Sequence, residues 1–126
     1  MKLKIRVKQT KPGIVTISPV GTIDTETSLT LDKEICRILS AATKTLVIDM
    51  EGVEYITSMG IGIIAKAKSS LSRNGGDIAI INLQPQVRKV FEIIRLLPTL
   101  NVFASLEELD EYLEKVQRRM IGGEDY

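Results

Sequence analysis

Two hydroxyl side chains, Thr57 and Ser58, lie where the pattern of the chain changes from extended to helical. Apolar residues at helical spacing begin with Ile61, which predicts that the hydroxyls flank a helix start. Ser58 is suited to be the N-cap, where its oxygen accepts a hydrogen bond from a backbone N–H. A phosphate of about −1.5 to −2 charge would also be tolerated there by the helix dipole. A plain helix cap is the more common role for such a serine.

Glycines follow the two hydroxyls, and Gly60-x-Gly62-x-x-Ala65 fits a relaxed dinucleotide-binding fingerprint. In that fingerprint the first glycine lies in a tight turn directly after a strand. Here the preceding predicted strand ends at Met50, and the first acidic residue at a plausible distance, Asp77, opens the next strand. We therefore interpret the glycines as small residues that let a helix pack closely on a sheet.

Asp49 ends an apolar segment, as the phosphorylated aspartate of a response-regulator receiver does. A receiver also holds magnesium with an acidic pair after its first strand, where this chain has Lys8-Gln9-Thr10. Asp24, Asp32 and Asp49 are scattered between predicted elements, and their spacing does not indicate a metal site. We predict that the protein has no metal and no cofactor.

The composition argues against several function classes. The chain has no His and one Cys, Cys36, so it lacks both an internal disulfide and the usual general base near neutral pH. Lys and Arg number 17 against 16 Asp and Glu, a balance that does not favour nucleic acid as a partner. No apolar run approaches signal-peptide length or the ~20 residues of a membrane helix. We predict a cytoplasmic protein that is not an enzyme and has no membrane partner.

The periodicity of the 126 residues predicts one α/β domain. Strands are predicted over 1–10, 14–20, 45–50, 77–82 and 101–104, and helices over 25–42, 58–73, from 85 to before Pro98, and from a capping box at 105–108. This order predicts an N-terminal hairpin in a mixed sheet of four to five strands, with about four helices packed against it. Pro19 is expected at a sheet edge or strand end. Residues 53–56 are predicted as a loop, 1–119 as the domain, and 120–126 as a flexible tail.

Several motifs together resemble one known family. Over roughly residues 3–117 the chain resembles STAS domains, and within them the bacterial anti-sigma factor antagonists. The segment Thr57–Gly62 is similar to the signature Asp-Ser-Ser/Ala-Gly-hydrophobic-Gly of that family. The other similar segments are Gly21–Asp24, Leu46–Met50 with Val53–Ile56, Asn74–Gly76, and Gln84–Val87 with Val90–Phe91.

The resemblance implies a STAS-type fold and a regulatory role without catalysis. It makes Ser58 the phosphorylated residue, with Thr57 the second choice. In the family, an anti-sigma factor that is also a serine kinase binds the unphosphorylated protein and releases the sigma factor, phosphorylation ends that binding, and a Ser/Thr phosphatase reverses it. The implied partner-binding residues are Asp24, Tyr55, Thr57, Ser58, Met59, Gly60 and Ile61. The implied oligomeric state is a monomer or weak dimer.

The signature departs from the family pattern at two positions, because Thr57 replaces the usual Asp and Met59 replaces a small residue. Two other interpretations therefore stay open. One is a STAS scaffold subunit of a stressosome-like or lipid-transport complex that lacks a phosphorylation switch. The other, from a different class, is a receiver-like or nucleotide-binding protein, in which Asp49 would be essential.

Overall fold

The protein is described by a computed structural model that covers residues 3–40, 42–94 and 101–122. Its elements, in chain order, are β1 Lys4–Lys11, β2 Ile14–Ile23, α1 Thr27–Ile38, β3 Thr45–Asp49, β4 Val53–Ile56, α2 Ser58–Arg73, β5 Asp77–Ile81, α3 Pro85–Ile94, β6 Asn101–Phe103 and α4 Leu106–Gly122. The predicted alternation of strands and helices after a hairpin is confirmed.

The strands form one mixed sheet in the order β1-β2-β3-β5-β6, and β4 pairs with the end of β2. The hairpin β1–β2 is antiparallel, and the other pairings are parallel. The strand β3 lies centrally, which explains why its residues Leu46, Val47 and Ile48 are all buried.

The sheet buries a different set of side chains on each face. The larger core joins apolar residues of α1, α2 and α3 to the strands, including Leu31, Ile61, Phe91, Ile17 and Ile48. The smaller core joins Leu109 of α4 to Ile14, Val47, Ala79 and Ile81. Because side chains alternate along a strand, Val47 and Ile48 point into opposite cores. The first three helices thus cover one face, and α4 covers part of the other.

The described chain has six strands, whereas four to five were predicted, because residues 53–56 are the strand β4 and not a loop. The strand is short, and its pairing with Gly21, Thr22 and Ile23 is parallel and long-range. Four residues give too little periodicity to distinguish a strand from a loop. This missed strand is important because it leads directly into α2.

Pro19 does not lie at the sheet edge, since β2 has neighbours on both sides. On one side β2 pairs with β1, and on the other it pairs with β3 as far as Ile17 and with β4 from Gly21 onward. Pro19 falls in the gap between these two parallel partners. Its lack of an N–H therefore costs the sheet no hydrogen bond on that side.

The helix boundaries agree in part with the predictions. The helix α1 is shorter than the predicted 25–42, whereas α3 does begin at Pro85. The capping serine of α4 is confirmed, because Ser105 Oγ accepts a 3.2 Å hydrogen bond from Glu108 N–H. The helix α4 runs through Gly122, so the predicted domain end at residue 119 falls inside it. Pro98 and residues 123–126 lie outside the described residues.

Candidate functional site

The site lies where β2 and β4 end side by side and lead into α1 and α2. Thr22 pairs with Tyr55 and Ile23 pairs with Ile56, so both strands deliver their following residues to the same edge of the sheet. The backbone N–H of Thr57 then donates to the Ile23 carbonyl at 2.9 Å. This bond fixes the start of α2 against the end of β2.

The N-cap of α2 is Thr57, so the prediction that Ser58 is the cap was wrong. Thr57 has extended backbone angles, and its hydroxyl accepts a 3.4 Å hydrogen bond from Gly60 N–H. Its carbonyl accepts from Ile61 N–H at 3.1 Å. Ser58 is consequently the first helical residue. The sequence could not distinguish adjacent hydroxyls, because threonine and serine are both good caps.

The two hydroxyls differ in their availability. Thr57 is half-buried and its oxygen is occupied by the cap bond, whereas Ser58 is exposed. Within the described ranges, the Ser58 hydroxyl makes no hydrogen bond to the protein. The N–H groups of the first helical turn lie beside it and have no partner within the helix. Ser58 therefore combines an accessible nucleophile with an environment that favours an anion.

The two glycines of the signature are different in their surroundings. A Cβ atom on Gly60 would lie 2.6 Å from Ile23 Cγ2 and 2.8 Å from Ile56 Cγ1, whereas one on Gly62 would meet nothing within 4 Å. The interpretation of close packing therefore holds for Gly60 and is wrong for Gly62. Gly60 lets the start of α2 approach the ends of β2 and β4.

The structure also changes the reason for rejecting a dinucleotide site. The strand β4 ends at Ile56, so the glycines follow a strand more closely than predicted. Gly60 nevertheless lies inside a helix and is buried against Ile23, and it is not in a turn that could cradle a pyrophosphate.

Asp24 caps the start of α1 through one of its carboxylate oxygens. Its Oδ1 atom accepts hydrogen bonds from the N–H groups of Glu26 at 2.9 Å and Thr27 at 2.8 Å, and from the Thr27 hydroxyl at 3.1 Å. The bonds from the Thr27 backbone and then from the Thr27 hydroxyl lower the pKa of Asp24. Thr27 also donates to the Thr22 carbonyl at 2.7 Å. Asp24 thus shapes the loop next to Ser58.

The sequence analysis missed Thr27, which is buried and connects Asp24 to β2. The spacing of an Asp and a hydroxyl residue three positions later was the available signal, since it is typical of capped helix starts.

Of the predicted partner-binding residues, only some are accessible. Tyr55 is 50% exposed and Met59 is 47% exposed, so two large exposed side chains lie within three residues of Ser58 in the chain. Gly60 and Ile61 are buried beneath them and cannot contact a partner in this conformation. The accessible surface is therefore Tyr55, Ser58 and Met59, with Asp24 and Thr57 at its margin. We call these five residues the Ser58 surface.

The Asp49 side chain is held by hydrogen bonds that connect two parts of the chain. Its Oδ1 accepts from Glu51 N–H and from the Asn82 side-chain amide, both at 3.1 Å. Asn82 adopts φ 60°, a left-handed conformation that asparagine tolerates, and this positions its amide. The carboxylate thereby joins the end of β3 to the loop after β5. This environment argues against Asp49 as a receiver-type phosphorylation site.

Two glutamines hold the outer side of β4, and the sequence analysis gave them no role. The Gln86 amide donates to the Glu54 carbonyl at 2.9 Å and to Gln84 Oε1 at 2.7 Å. The Gln84 amide donates to the Glu51 carbonyl at 2.6 Å. Both side chains come from the start of α3, so this helix supports the strand that carries Tyr55.

Among the described residues, no helix is long and apolar enough to cross a membrane. In the same part of the chain, no three His, Cys, Asp or Glu side chains are grouped so that they could hold a metal ion.

Known proteins are similar to this chain in sequence or in fold. BtrV of Bordetella bronchiseptica, described as a candidate anti-sigma factor antagonist, is 26% identical over 87 residues, which are 69% of this chain and 75% of BtrV. The crystal structure of an anti-sigma factor antagonist from Mycobacterium paratuberculosis superposes with a TM-score of 0.77 at 25% identity, covering 91% of this chain and 94% of the other. The phosphorylated form of the Bacillus cell fate determinant SpoIIAA has a TM-score of 0.67 at 22% identity, covering 86% and 99%, respectively.

The SpoIIAA comparison concerns the fold alone, which is the mixed sheet with four helices described above. The family comparison extends over most of the chain and includes the whole Ser58 surface. The model of the STAS domain matches residues 6–109, and this chain therefore belongs to the STAS domain family.

Proposed function

We propose that this STAS domain is an anti-sigma factor antagonist whose binding is switched by phosphorylation of Ser58. The unphosphorylated form binds an anti-sigma factor that is also a serine kinase, and the sigma factor is released. Transfer of phosphate to Ser58 ends the interaction, and a Ser/Thr phosphatase restores it. The similarity to BtrV and to the mycobacterial antagonist supports the class of partner.

One observation carries the assignment of Ser58. Two adjacent hydroxyls stand at the start of α2, and only that of Ser58 is exposed and without a hydrogen bond to the described protein. The Thr57 hydroxyl is half-buried and accepts the cap bond from Gly60 N–H, so it is less available than that of Ser58. The exposed serine is therefore the better acceptor.

The surroundings of Ser58 explain how a phosphate could act without unfolding the domain. The group would lie at the N-terminus of α2, where the Ser58 and Met59 N–H groups, which have no partner within the helix, and the dipole stabilise negative charge. Tyr55 and Met59 are half-exposed, and they would be desolvated by a docked partner. A dianion on Ser58 would oppose this desolvation. Phosphorylation would therefore weaken partner binding while the fold of the domain stays intact.

The replacement of the family Asp by Thr57 is compatible with this mechanism. The threonine hydroxyl caps the helix at Gly60, so a hydroxyl meets the structural need at this position. The replacement also removes a negative charge next to Ser58. A kinase that acts on this site must therefore recognise Ser58 without an adjacent carboxylate.

The proposed role makes the domain a substrate and a ligand, not an enzyme, and assigns it to the cytoplasm, where ATP and sigma factors are found. The scaffold interpretation, a subunit of a stressosome-like or lipid-transport complex, differs in its partners and in lacking the switch. It predicts that the protein binds its partners equally well when Ser58 carries a free hydroxyl and when it carries a phosphate.

The test is to incubate the full chain with ATP, magnesium and its cognate anti-sigma kinase, measure the mass, and map added phosphate by fragmentation. We expect one phosphate on Ser58, none on Ser58→Ala, and normal labelling of a Thr57→Val control. Affinity for the anti-sigma factor is then measured with and without the phosphate, and it should fall on phosphorylation. An unmodified mass with an active kinase, and unchanged affinity of Ser58→Asp, would favour the scaffold interpretation.

A further inference from the structure

The edge strand β1 carries a row of positive charges that the proposed function does not use. Lys4, Arg6 and Lys8 pair across the hairpin with Val20, Ser18 and Thr16. The intervening residue Ile5 packs on the larger core, so the three basic side chains point to the opposite face of the sheet. All three are exposed. We call them the basic row.

The positive charge is concentrated locally, although the whole chain is nearly neutral at +1. Residues 1–23 contain five basic and no acidic side chains. No ion pair between described residues involves Lys4, Arg6 or Lys8. Because residues two apart on a strand are separated by about 7 Å, the three charges form a row with the period of a β-strand.

The backbone of β1 is available on one side as well. It forms the end of the strand order and pairs only with β2 among the described elements. Basic side chains on an edge strand oppose its pairing with most other strands. A segment that carries carboxylates is the exception, because it can use the free N–H and C=O groups of β1 and also neutralise the charges. A second copy of this chain is a poor candidate, since antiparallel pairing of two β1 strands would place basic side chains opposite each other.

We propose that β1 binds an extended acidic segment of a partner protein as an additional edge strand. Carboxylates at every second position of that segment face Lys4, Arg6 and Lys8, and backbone hydrogen bonds supply the remaining affinity. The row lies on the face covered by α4, away from the helix α2 that carries Ser58. The protein would thus hold a second partner independently of the phosphorylation state.

The probe is a fluorescent nine-residue peptide in which glutamate alternates with threonine, added to the full isotope-labelled chain at low salt. We expect saturable binding that weakens with added salt, and amide shift changes confined to β1 and β2. The peptide with glutamine in place of glutamate should bind far more weakly. The variant Lys4→Gln/Arg6→Gln/Lys8→Gln should bind about tenfold more weakly than the original chain.

The matched control removes the same amount of charge elsewhere. Lys33, Arg73 and Lys89 are exposed on the helices of the other face, and Lys33→Gln/Arg73→Gln/Lys89→Gln has the same net charge as the β1 variant. The control should keep the affinity of the original chain. Equal losses in both variants would overturn the proposal in favour of non-specific attraction. A concentration-dependent dimer would overturn the proposal in favour of self-association, and binding to anionic vesicles without peptide binding would overturn it in favour of a membrane ligand.

Discussion

The starts of α1 and α2 are neighbours at one edge of the sheet, yet they differ in exposure. The first residues of α1 are buried, and we call this start closed, whereas the first residues of α2 are exposed, and we call this start open. At α1, the Asp24 carboxylate accepts three hydrogen bonds, and the following Thr27 and Ser28 are buried. At α2, the Thr57 hydroxyl accepts a single long bond, and the following Ser58 and Met59 are exposed. Both segments contain a hydroxyl residue and a cap. Whether a hydroxyl can be modified therefore depends on its hydrogen bonds and burial, not on its residue type.

The largest expected effect concerns the packing beneath α2. Gly60→Ala places a Cβ within 3 Å of Ile23 and Ile56, and we expect the free energy of unfolding to fall by about 1–3 kcal/mol. Gly62→Ala is the control, because its Cβ meets nothing and alanine favours the helix by up to about 1 kcal/mol. Urea denaturation measures both. Equal effects of the two substitutions would mean that α2 does not approach the strands as described.

The next effect concerns the closed start of α1. Asp24→Ala removes the acceptor of three hydrogen bonds, and we expect a larger fall in thermal stability than Thr57→Ala causes. Because folding lowers the pKa of Asp24, its stabilising contribution is present above the unfolded value of about 3.9 and is lost as the pH falls through the folded value.

Asp24→Asn keeps the shape of the side chain and removes its titration. The difference in melting temperature between the original chain and Asp24→Asn should therefore shrink as the pH is lowered from 7 to below about 3.9. A difference that does not change with pH would argue against the charged form of Asp24 as the acceptor.

A pair of serines compares the two helix starts directly. Ser28 is fully buried and its hydroxyl donates to the Thr25 carbonyl at 2.9 Å, so Ser28→Ala should cost about 0.5–1.5 kcal/mol. Ser58→Ala removes an exposed hydroxyl and should change stability by less than about 0.5 kcal/mol. Chemical denaturation of the two variants gives this difference. A large loss for Ser58→Ala would reveal a structural role and weaken its assignment as a free acceptor.

A small effect is also expected at the cap of α2. Thr57→Ala should cost about 0.5 kcal/mol, at the low end for a cap, because the bond to Gly60 is long at 3.4 Å. Thr57→Ser keeps the hydroxyl and should be nearly neutral. Amide hydrogen exchange at Gly60 is the more sensitive measurement, since this N–H loses its acceptor in the alanine variant. Unchanged exchange would mean that Ser58 or water takes over the cap.

The sequence predicted the order of the longer elements and the region of the site, and it failed where contacts are long-range. The hairpin, the buried β3 and the Pro85 helix start were predicted from local periodicity and from proline. The strand β4 was missed because its only sign is pairing with β2. The cap was assigned to Ser58 and not Thr57, because only the backbone angles and the bond to Gly60 distinguish them.

By itself, the sequence determined that two hydroxyls precede an amphipathic helix and that a basic strand opens the chain, since periodicity and residue type are local properties. Only the tertiary structure decided which hydroxyl is free, which glycine is packed, and which predicted contact residues are buried. The physical reason is that burial and hydrogen-bond partners depend on the pairing of β2 with β4, which brings residues distant in the chain together. The local sequence of neither strand indicates that the two strands pair.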